Sequence, residues 1–329
     1  MRSQKALLKE IDLESPGCDD FIFTYKPDIE EIAASLKRLG QINPVILEER
    51  ERKRYRIVAG YARVLAARIL GWETVEAKIY EKDEACPREL FLLALATKAF
   101  GKSISPVDKA IALTKAQNFF GCQEELRQEI APLLDVPPSK EVIRNYKRLA
   151  EADEAIKDAV HFGQLSIAQA FLLLPFQGTD RLALFNLLQN LSANFNEAKE
   201  ILRNISDLAQ LQKRSIKEIL AGEEIKGILQ DDGLSRRQKI IHLRRALRLK
   251  RYPRLSQDSE ELKRRIKALA LPPRVHLAYD PSFEKEEITV SLEVADEGEL
   301  AAVLKRLLAG LEAGKFARIF SVLKGQGRG

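Results

Sequence analysis

The stretch from Pro138 to Leu149 joins a tight turn to a helical pattern with one apolar face and one basic face. Val142, Tyr146 and Leu149 lie at positions i, i+4 and i+7, so the pattern predicts that they face inward. A short helix, a tight turn and a second, basic helix are typical of a helix-turn-helix, whose second helix enters the major groove of DNA. The candidate DNA-contacting residues are Ser139, Lys140, Arg144, Asn145, Lys147 and Arg148.

Position along this helix separates candidate base contacts from candidate phosphate contacts. The N-terminal residues of such a helix lie nearest the base edges, which favours Ser139, Lys140 and Arg144 for base contacts. An arginine can bind guanine through two hydrogen bonds. Lys147 and Arg148 are better placed for phosphates, which set affinity rather than sequence preference. The alternative interpretation is an ordinary solvated helix face in an all-α domain.

A second basic segment lies between Arg236 and Arg254, where nine of nineteen residues are Lys or Arg and none is Asp or Glu. A positive field of this kind suits a polyanion. We therefore expect Arg244, Arg245 and Arg248 to contact DNA phosphates without sequence specificity. The alternatives are a solvated helix whose long side chains lie over a neighbour and a helix that docks a partner protein.

The segment from Ile57 to Arg63 predicts a strand, a glycine turn and the start of a helix. The free amides and the positive dipole end of a helix N-terminus can bind a phosphate. Gly60, Tyr61 and Arg63 are therefore candidate residues of an anion pocket. A purely structural glycine turn is the alternative.

Composition limits the classes of protein that remain. The chain has 329 residues, 45% of them apolar and 31% charged, with a net charge of +6, as in an ordinary globular protein of two or three domains. Its three cysteines and three histidines have no metal-ligand spacing, so no metal site is predicted, and no residue stands out as catalytic. No apolar run approaches the ~18 residues of a membrane span, and no signal peptide is readable. We expect a cytoplasmic protein with reduced thiols and no membrane partner.

Helix and strand patterns together predict an α+β fold in four segments. These are a small α/β domain over 1–100, an all-α helix-turn-helix domain over 101–200, a basic helical segment over 201–271 and a small α+β domain over 272–329. In the first domain, a capping box from Asp28 to Glu31 begins a helix that ends at Gly40. A second helix is expected over 60–70, and strands over 44–47, 55–59 and 75–79.

The later segments are mainly helical, with caps predicted at Ser105, at Ser166 with Gln169, and at Ser235 with Gln238. The predicted helices cover 105–120, 123–131, 140–149, 166–174, 179–193, 196–213, 235–251 and 260–269. Strands over 274–279 and 287–294, joined by a turn at 280–282, precede a final helix capped by Asp296 and a frayed tail over 325–329. The last segment is too small for much of a core, so dimerisation or docking would supply the missing burial.

The order of these segments resembles the ParB family of partition proteins over roughly residues 8–180. Asp28 to Val45 is similar to the family's helix-then-strand entry, and Val58 to Ala67 to its glycine-arginine phosphate motif. The remaining similar segments are Ser105 to Ala110 at the start of the central helical domain, Pro138 to Leu149 at the recognition helix, and Phe162 to Ala170 after it. Several motifs in the right order are more specific than any single motif.

The resemblance implies a homodimer that binds specific centromere-like sites on double-stranded DNA. It implies a role in chromosome or plasmid segregation, or as a related DNA-bound regulator, at the nucleoid and with a partition ATPase as partner. Many members bind CTP with magnesium in the N-terminal domain and close as a clamp around DNA. CTP is therefore the cofactor that the resemblance suggests, although no cofactor follows from the residues themselves.

Three departures from the family pattern predict impaired CTP hydrolysis. The phosphate motif normally reads Gly-Glu-Arg-Arg-x-Arg-Ala, and this chain keeps Gly60, Arg63 and Ala66 but has Tyr61, Ala62 and Leu65. The family's Glu-Asn pair falls on Thr97 and Lys98, and the positive charge of Lys98 opposes a metal. The arginine expected before the first helix is also missing around residues 23–26. An anion could still bind at Gly60 and Arg63, but metal-assisted hydrolysis is not expected.

An enzyme is the alternative function, because the ParB-like domain has nuclease and small-molecule kinase relatives. Such an enzyme would need clustered acids to hold a metal. Glu30 and Glu31 are the nearest candidates, but their place in a helix cap explains them more simply.

Overall fold

A four-stranded sheet organises the N-terminal part of this structure, a computed structural model that describes residues 1–51, 54–99, 104–280 and 286–324. The strands are β1 (Arg2–Leu7), β2 (Val45–Glu49), β3 (Tyr55–Ala59) and β4 (Thr74–Tyr80), in the order β1-β4-β2-β3. β4 pairs antiparallel with β1 and parallel with β2, while β2 pairs antiparallel with β3. The sequence predicts β2, β3 and β4. The structure adds β1, whose mostly polar residues give little strand signal before they pair with β4.

Helices α1 (Ile29–Leu39) and α2 (Tyr61–Ile69) pack together and share a core with the sheet. Asp28 begins α1 because its carboxylate accepts a hydrogen bond from the Glu31 amide at 2.9 Å. Gly40 ends α1 with a φ of +71°. Both predicted helices are confirmed. The shared core includes Leu36, Val45, Leu47, Ile57, Val64, Ala67 and Ile79.

Helices complete the first of two compact units, which cover Met1–Asn190 and Leu191–Gly329. They are α3 (Pro87–Ala99), α4 (Pro106–Ala116), α5 (Gln123–Glu125), a π-helical turn (Leu126–Ile130), α6 (Ala131–Leu133), α7 (Lys140–Ala150), α8 (Glu154–His161), α9 (Ile167–Leu173) and α10 (Gly178–Leu191). Ser105 and Ser166 cap α4 and α9 as predicted. α4 ends before the predicted residue 120, because the amides of Gln117, Asn118 and Phe119 donate to carbonyls three residues back, as in a 3₁₀ turn.

The second unit contains a helical bundle and a small mixed region at the C-terminal end. Its elements are α11 (Phe195–Gln212), α12 (Ile216–Leu220), α13 (Glu223–Gln230), α14 (Arg236–Arg251), α15 (Pro253–Lys267), β5 (Val275–Tyr279), β6 (Ile288–Leu292), α16 (Glu297–Glu312) and α17 (Lys315–Leu323). Ser235 caps α14 through the predicted box with Gln238. α15 begins earlier than predicted, because Pro253 fits the first turn of a helix, and α17 is an additional helix.

The predicted α+β class is confirmed, since the protein is helix-rich with a small N-terminal sheet and a two-stranded antiparallel sheet near the C-terminus. The finer division into four segments stays a prediction. The predicted turn at 280–282 and the tail at 325–329 lie partly or wholly outside the described residues. Across the described ranges, no helix has the length and apolar character needed to cross a membrane.

Candidate nucleic-acid interface and ligand cavity

The inner face of α7 fixes how this helix sits on the protein. Its buried side chains are Ile143, Tyr146 and Leu149. The structure therefore corrects the predicted inner face, because Ile143 is buried whereas Val142 is half-buried. Either residue fits a helical period together with Tyr146 and Leu149. The packing of α7 against α4 and α9 selects Ile143.

A groove of about 400 Å³ lies between the N-terminal half of α7 and the helical segment that precedes it. Arg127 in the π-helical turn donates from Nε to the carbonyl oxygen of Pro138 at 2.9 Å, which ties this segment to the turn before α7. The groove is lined by Gln123, Leu126, Arg127, Lys140, Glu141, Ile143, Arg144 and Lys147. Two predicted base-contacting residues, Lys140 and Arg144, therefore lie together at its wall.

Three predicted DNA-contacting residues form the exposed outer side of α7. Lys140, Arg144 and Arg148 are all exposed, and each lies about one helical turn from the next. In the part of the chain that the structure describes, none of the three forms an ion pair. Their charges are therefore available to an external anion.

The other predicted residues of α7 are less accessible or lie at its start. Lys147 and Asn145 are half-buried. Burial lowers the pKa of the Lys147 ammonium. Ser139 is exposed and occupies the N-cap position, but its hydroxyl makes no capping hydrogen bond. The structure thus places the predicted residues on one helix, with different degrees of access.

The basic helix α14 differs from α7 because acidic residues of neighbouring helices pair with its cations. These acids lie on α11, α13 and α15. The ion pairs are Arg237 with Glu197, Arg244 with Glu200, Arg245 with Glu260 at 3.1 Å, Lys250 with Glu224 at 2.8 Å, and Arg251 with Asp207. Much of the positive charge that the sequence concentrates in this segment is therefore compensated within the second unit.

The three α14 residues that the sequence selects for phosphate contact are consequently unequal. Arg244 is half-buried against Glu200, so DNA would have to compete for it. Arg245 is exposed but lies beside Glu260. Arg248 is exposed and has no ion pair among the described residues.

A cavity of about 880 Å³ opens beside the turn between β3 and α2. Gly60, at this turn, has a φ of +97°, and a Cβ built there would meet Cγ1 of Val45 at 2.8 Å. Both the conformation and the space therefore require glycine. The first residues of α2, Tyr61 and Ala62, line the cavity, and helix geometry leaves their amides without partners inside the helix.

Arg63 and Tyr61, the other predicted pocket residues, also take part in the packing around the cavity. The Nη1 atom of Arg63 donates to the backbone carbonyls of Asn43 and Pro44, the second at 3.0 Å, which holds the loop before β2. Burial lowers the pKa of the Arg63 guanidinium. Tyr61 packs against the core shared by the sheet and the helices. The structure brings Gly60, Tyr61 and Arg63 together at one wall of the cavity.

Lys98, in the last turn of α3, also lines this cavity. Its Nζ atom is 2.7 Å from Oδ2 of Asp108 and donates to the Thr24 hydroxyl at 2.7 Å. Nζ also lies 5.3 Å from the centre of the Phe23 ring. Burial lowers the pKa of Lys98, and the carboxylate of Asp108 opposes this shift.

The segment around Tyr25 connects the cavity to the helices that follow it. The Tyr25 amide donates to Oδ1 of Asp108 at 2.6 Å, and its hydroxyl lies 2.9 Å from Oδ1 of Asp158 and 2.5 Å from Oε2 of Glu154. Burial and these two carboxylates raise the pKa of Tyr25. The sequence does not reveal Asp108 as the partner of Lys98, because the two residues lie on different helices and follow no single-helix spacing rule.

The residues that line the cavity do not fit magnesium. Among the described lining residues the carboxylates are those of Asp28 and Glu31, and Asp28 is the N-cap of α1. No group of three or more His, Cys, Asp or Glu side chains suited to a metal ion occurs in the described ranges. Magnesium prefers several oxygen ligands, whereas Lys98 places an ammonium at this wall.

Comparison with known proteins confirms the resemblance that the motifs predict. Residues 23–94 match the ParB N-terminal domain family. The nucleoid occlusion protein of Halalkalibacterium halodurans is 30% identical over 150 residues, which are 45% of this chain and 50% of that protein. The probable chromosome-partitioning protein ParB of Pseudomonas putida is 30% identical over 147 residues, which are 44% and 48% of the two chains. The chain thus spans about half the length of these curated relatives.

Solved structures of ParB proteins are also similar to this chain. A C-terminally truncated ParB from Caulobacter crescentus, complexed to the centromeric parS site, has 17% identity and a TM-score of 0.36, and the match covers 61% of this chain and 98% of that one. The same protein complexed with CTP-gamma-S has 19% identity and a TM-score of 0.26, with 57% and 99% coverage.

Proposed function

We propose that this chain is a sequence-specific DNA-binding protein of the ParB partition type. It acts in chromosome or plasmid segregation or as a related DNA-bound regulator, and it reads its site with α7. The observation that carries this proposal is the outer side of α7, where Lys140, Arg144 and Arg148 are exposed without ion pairs while the opposite side is fixed in the core.

The dimensions of α7 support entry into a major groove. Lys140 and Arg148 are eight positions apart on the helix, which corresponds to about 12 Å along its axis at a rise of about 1.5 Å per residue. This length is similar to the roughly 12 Å width of the major groove. We assign base contacts to Ser139, Lys140 and Arg144, and phosphate contacts to Lys147 and Arg148. Asn145 lies between the two groups.

Homodimer formation through the C-terminal region would place two copies of α7 on one DNA site. Leu304, Leu308 and Leu311 lie at positions i, i+4 and i+7 of α16, and all three are exposed. Burial of this apolar stripe against a second copy would supply the core that the small region lacks. A DNA-bound dimer would work at the nucleoid in the cytoplasm, with a partition ATPase as its expected partner.

CTP hydrolysis by this protein would be close to background, because Thr97 and Lys98 replace the Glu-Asn pair of the family pattern and Lys98 brings a positive charge. Thr97 instead donates its hydroxyl to the carbonyl of Leu93 at 2.8 Å, and Lys98 pairs with Asp108. A phosphate-release assay with CTP, magnesium and cognate DNA tests this. Robust DNA-stimulated release would contradict it.

Genome-wide crosslinking and sequencing of bound DNA tests the main proposal. We expect one cluster of sharp peaks that share a sequence motif, and we expect an Arg144→Ala variant to lose these peaks. Diffuse binding over the chromosome without a common motif would contradict sequence-specific recognition.

A further inference from the structure

The described side chains at the cavity wall carry more positive than negative charge. Its cations are Arg63, Lys78 and Lys98, and its carboxylates are Asp28 and Glu31. The Asp28 carboxylate accepts the Glu31 amide as the N-cap of α1. The free amides at the start of α2 add partial positive charge at the same wall. The cavity therefore favours an anion, and its volume of about 880 Å³ is in the range of small-molecule sites.

Lys98 can donate a hydrogen bond directly to such an anion. An ammonium group has three N–H donors, and Lys98 uses one for Asp108 and one for Thr24. One donor is left for a ligand in the cavity that Lys98 lines. Asp108 is buried and does not belong to the described lining. It lies behind Lys98, so it supports the charge of Lys98 without presenting its own carboxylate to the ligand.

The described lining offers a protein cation and no group of carboxylates for a divalent cation. A magnesium ion near this wall would be repelled by the Lys98 ammonium, and the lining carboxylates do not form a group that could hold it. A phosphate-bearing ligand near a lysine already has a compensating charge, as at other lysine phosphate sites. A ligand anion would share the Lys98 ammonium with Asp108, so the protein supplies part of the positive charge that a metal ion would otherwise bring.

We propose that the cavity binds a phosphate-bearing anion without a divalent metal, and that Lys98 supplies a positive charge to this anion. Asp108 acts as a positioning residue that holds the Lys98 ammonium between the cavity and α4. This proposal concerns the ligand of the cavity in the same proposed DNA-binding protein. It does not depend on DNA recognition by α7.

Calorimetric titration of the full chain tests this proposal with CTP, ATP and inorganic tripolyphosphate as probes. Each probe is titrated in EDTA and again in magnesium. We expect at least one probe to bind, with affinities in EDTA and magnesium that agree within about threefold, a difference of under about 1 kcal/mol. Preference for CTP over tripolyphosphate would assign the ligand as a nucleotide, and equal binding would assign it as a free polyphosphate. No binding by any probe in EDTA would overturn the proposal.

Variants separate the role of Lys98 from general effects on charge and folding. Lys98→Met should weaken binding in EDTA about tenfold or more, because it removes a charge-assisted hydrogen bond. Lys37→Met, at an exposed position of α1 outside the cavity, is the matched control and should bind as the wild type does. Lys98→Met leaves the buried Asp108 carboxylate unpaired. A double variant, Lys98→Met with Asp108→Asn, therefore tests the loss of the Lys98 ammonium without leaving an uncompensated buried charge. Unchanged affinity in a folded double variant would overturn the role of Lys98.

DNA titrations of the same proteins keep this proposal distinct from the proposed function. If Lys98 variants lose the anion but retain sequence-specific DNA binding, the cavity proposal stands together with the assignment of α7. If the wild type binds the anion but no specific DNA, the assignment of α7 fails while the cavity proposal stands.

Discussion

Helices α7 and α14 are both rich in lysine and arginine, but three cations of α7 are exposed without ion pairs among the described residues, whereas most of those on α14 are paired with acids. On α7, Lys140, Arg144 and Arg148 point outward without ion pairs in the described part of the chain. On α14, five cations pair with acids of three neighbouring helices. The density of basic residues along a sequence therefore does not locate the positive surface of a folded protein.

The physical reason lies in where the compensating acids come from. The segment from Arg236 to Arg254 contains no acid, so its charge is compensated across helix interfaces rather than along the helix. Glu197 is itself buried on α11, where it faces Arg237. An ion pair between packed helices also restrains how the helices pack. The paired cations of α14 therefore have a structural role that the exposed cations of α7 lack.

Arg144→Ala should produce the largest functional effect, because it removes a base contact from the exposed side of α7. We expect specific DNA binding to fall about ten- to a hundredfold, equivalent to roughly 1–3 kcal/mol, while non-specific binding falls far less. The measurement is titration against the best genomic site and against scrambled DNA. Arg245→Ala on α14 is the matched control and should leave the ratio of the two affinities unchanged. Equal losses on both DNAs would demote Arg144 to a phosphate contact.

Arg251→Met should have the largest structural effect on the α14 side of the comparison. Arg251 pairs with Asp207 and donates to the buried Asn204 at 2.7 Å, so its loss leaves polar groups poorly satisfied. We expect the free energy of unfolding to fall by about 1–2 kcal/mol, with DNA affinity unchanged where the variant is folded. Chemical denaturation measures this, and Arg245→Met, at an exposed pair, should cost less than about 1 kcal/mol. A folded Arg251→Met protein with weakened DNA binding would contradict the structural role of α14.

The salt dependence of DNA binding should distinguish the cations of α14 from one another. Each phosphate contact contributes about 0.9 to the slope of log affinity against log salt for duplex DNA. Arg248→Ala should reduce the slope by about that amount if the exposed Arg248 contacts a phosphate, whereas Arg244→Ala should leave it unchanged because Glu200 holds Arg244. A larger change for Arg244→Ala than for Arg248→Ala would show that DNA displaces the ion pair.

Lys147 should add a small pH dependence to the contacts of α7. Because burial lowers its pKa, its ammonium loses its proton at a lower pH than an ordinary lysine. As the pH rises into the alkaline range, its phosphate contact should therefore weaken before those of exposed lysines. A Lys147→Arg variant keeps its charge and should remove this early decline. Identical pH profiles of the two proteins would exclude a phosphate contact by Lys147.

Features that depend on neighbouring residues could be predicted from the sequence. Asp28, Ser105 and Ser235 each begin a helix as predicted, because a capping side chain bonds to an amide two or three residues later. The motifs of the N-terminal region also predicted the family that residues 23–94 match. The glycine turn at Gly60 was predicted from the residues around it, whereas the close approach of Val45 that also requires glycine there is visible only in the fold.

Where the sequence allows several equivalent patterns, packing in the fold selects one of them. Val142 and Ile143 fit the helical period of α7 almost equally, and packing buries Ile143. The polar strand β1 becomes a strand through its pairing with β4. The partners of Lys98 and of the α14 arginines lie on other helices. Caps and turns act over a few residues and can be read along the chain, whereas ion pairs and strand edges depend on which distant segments the fold brings together.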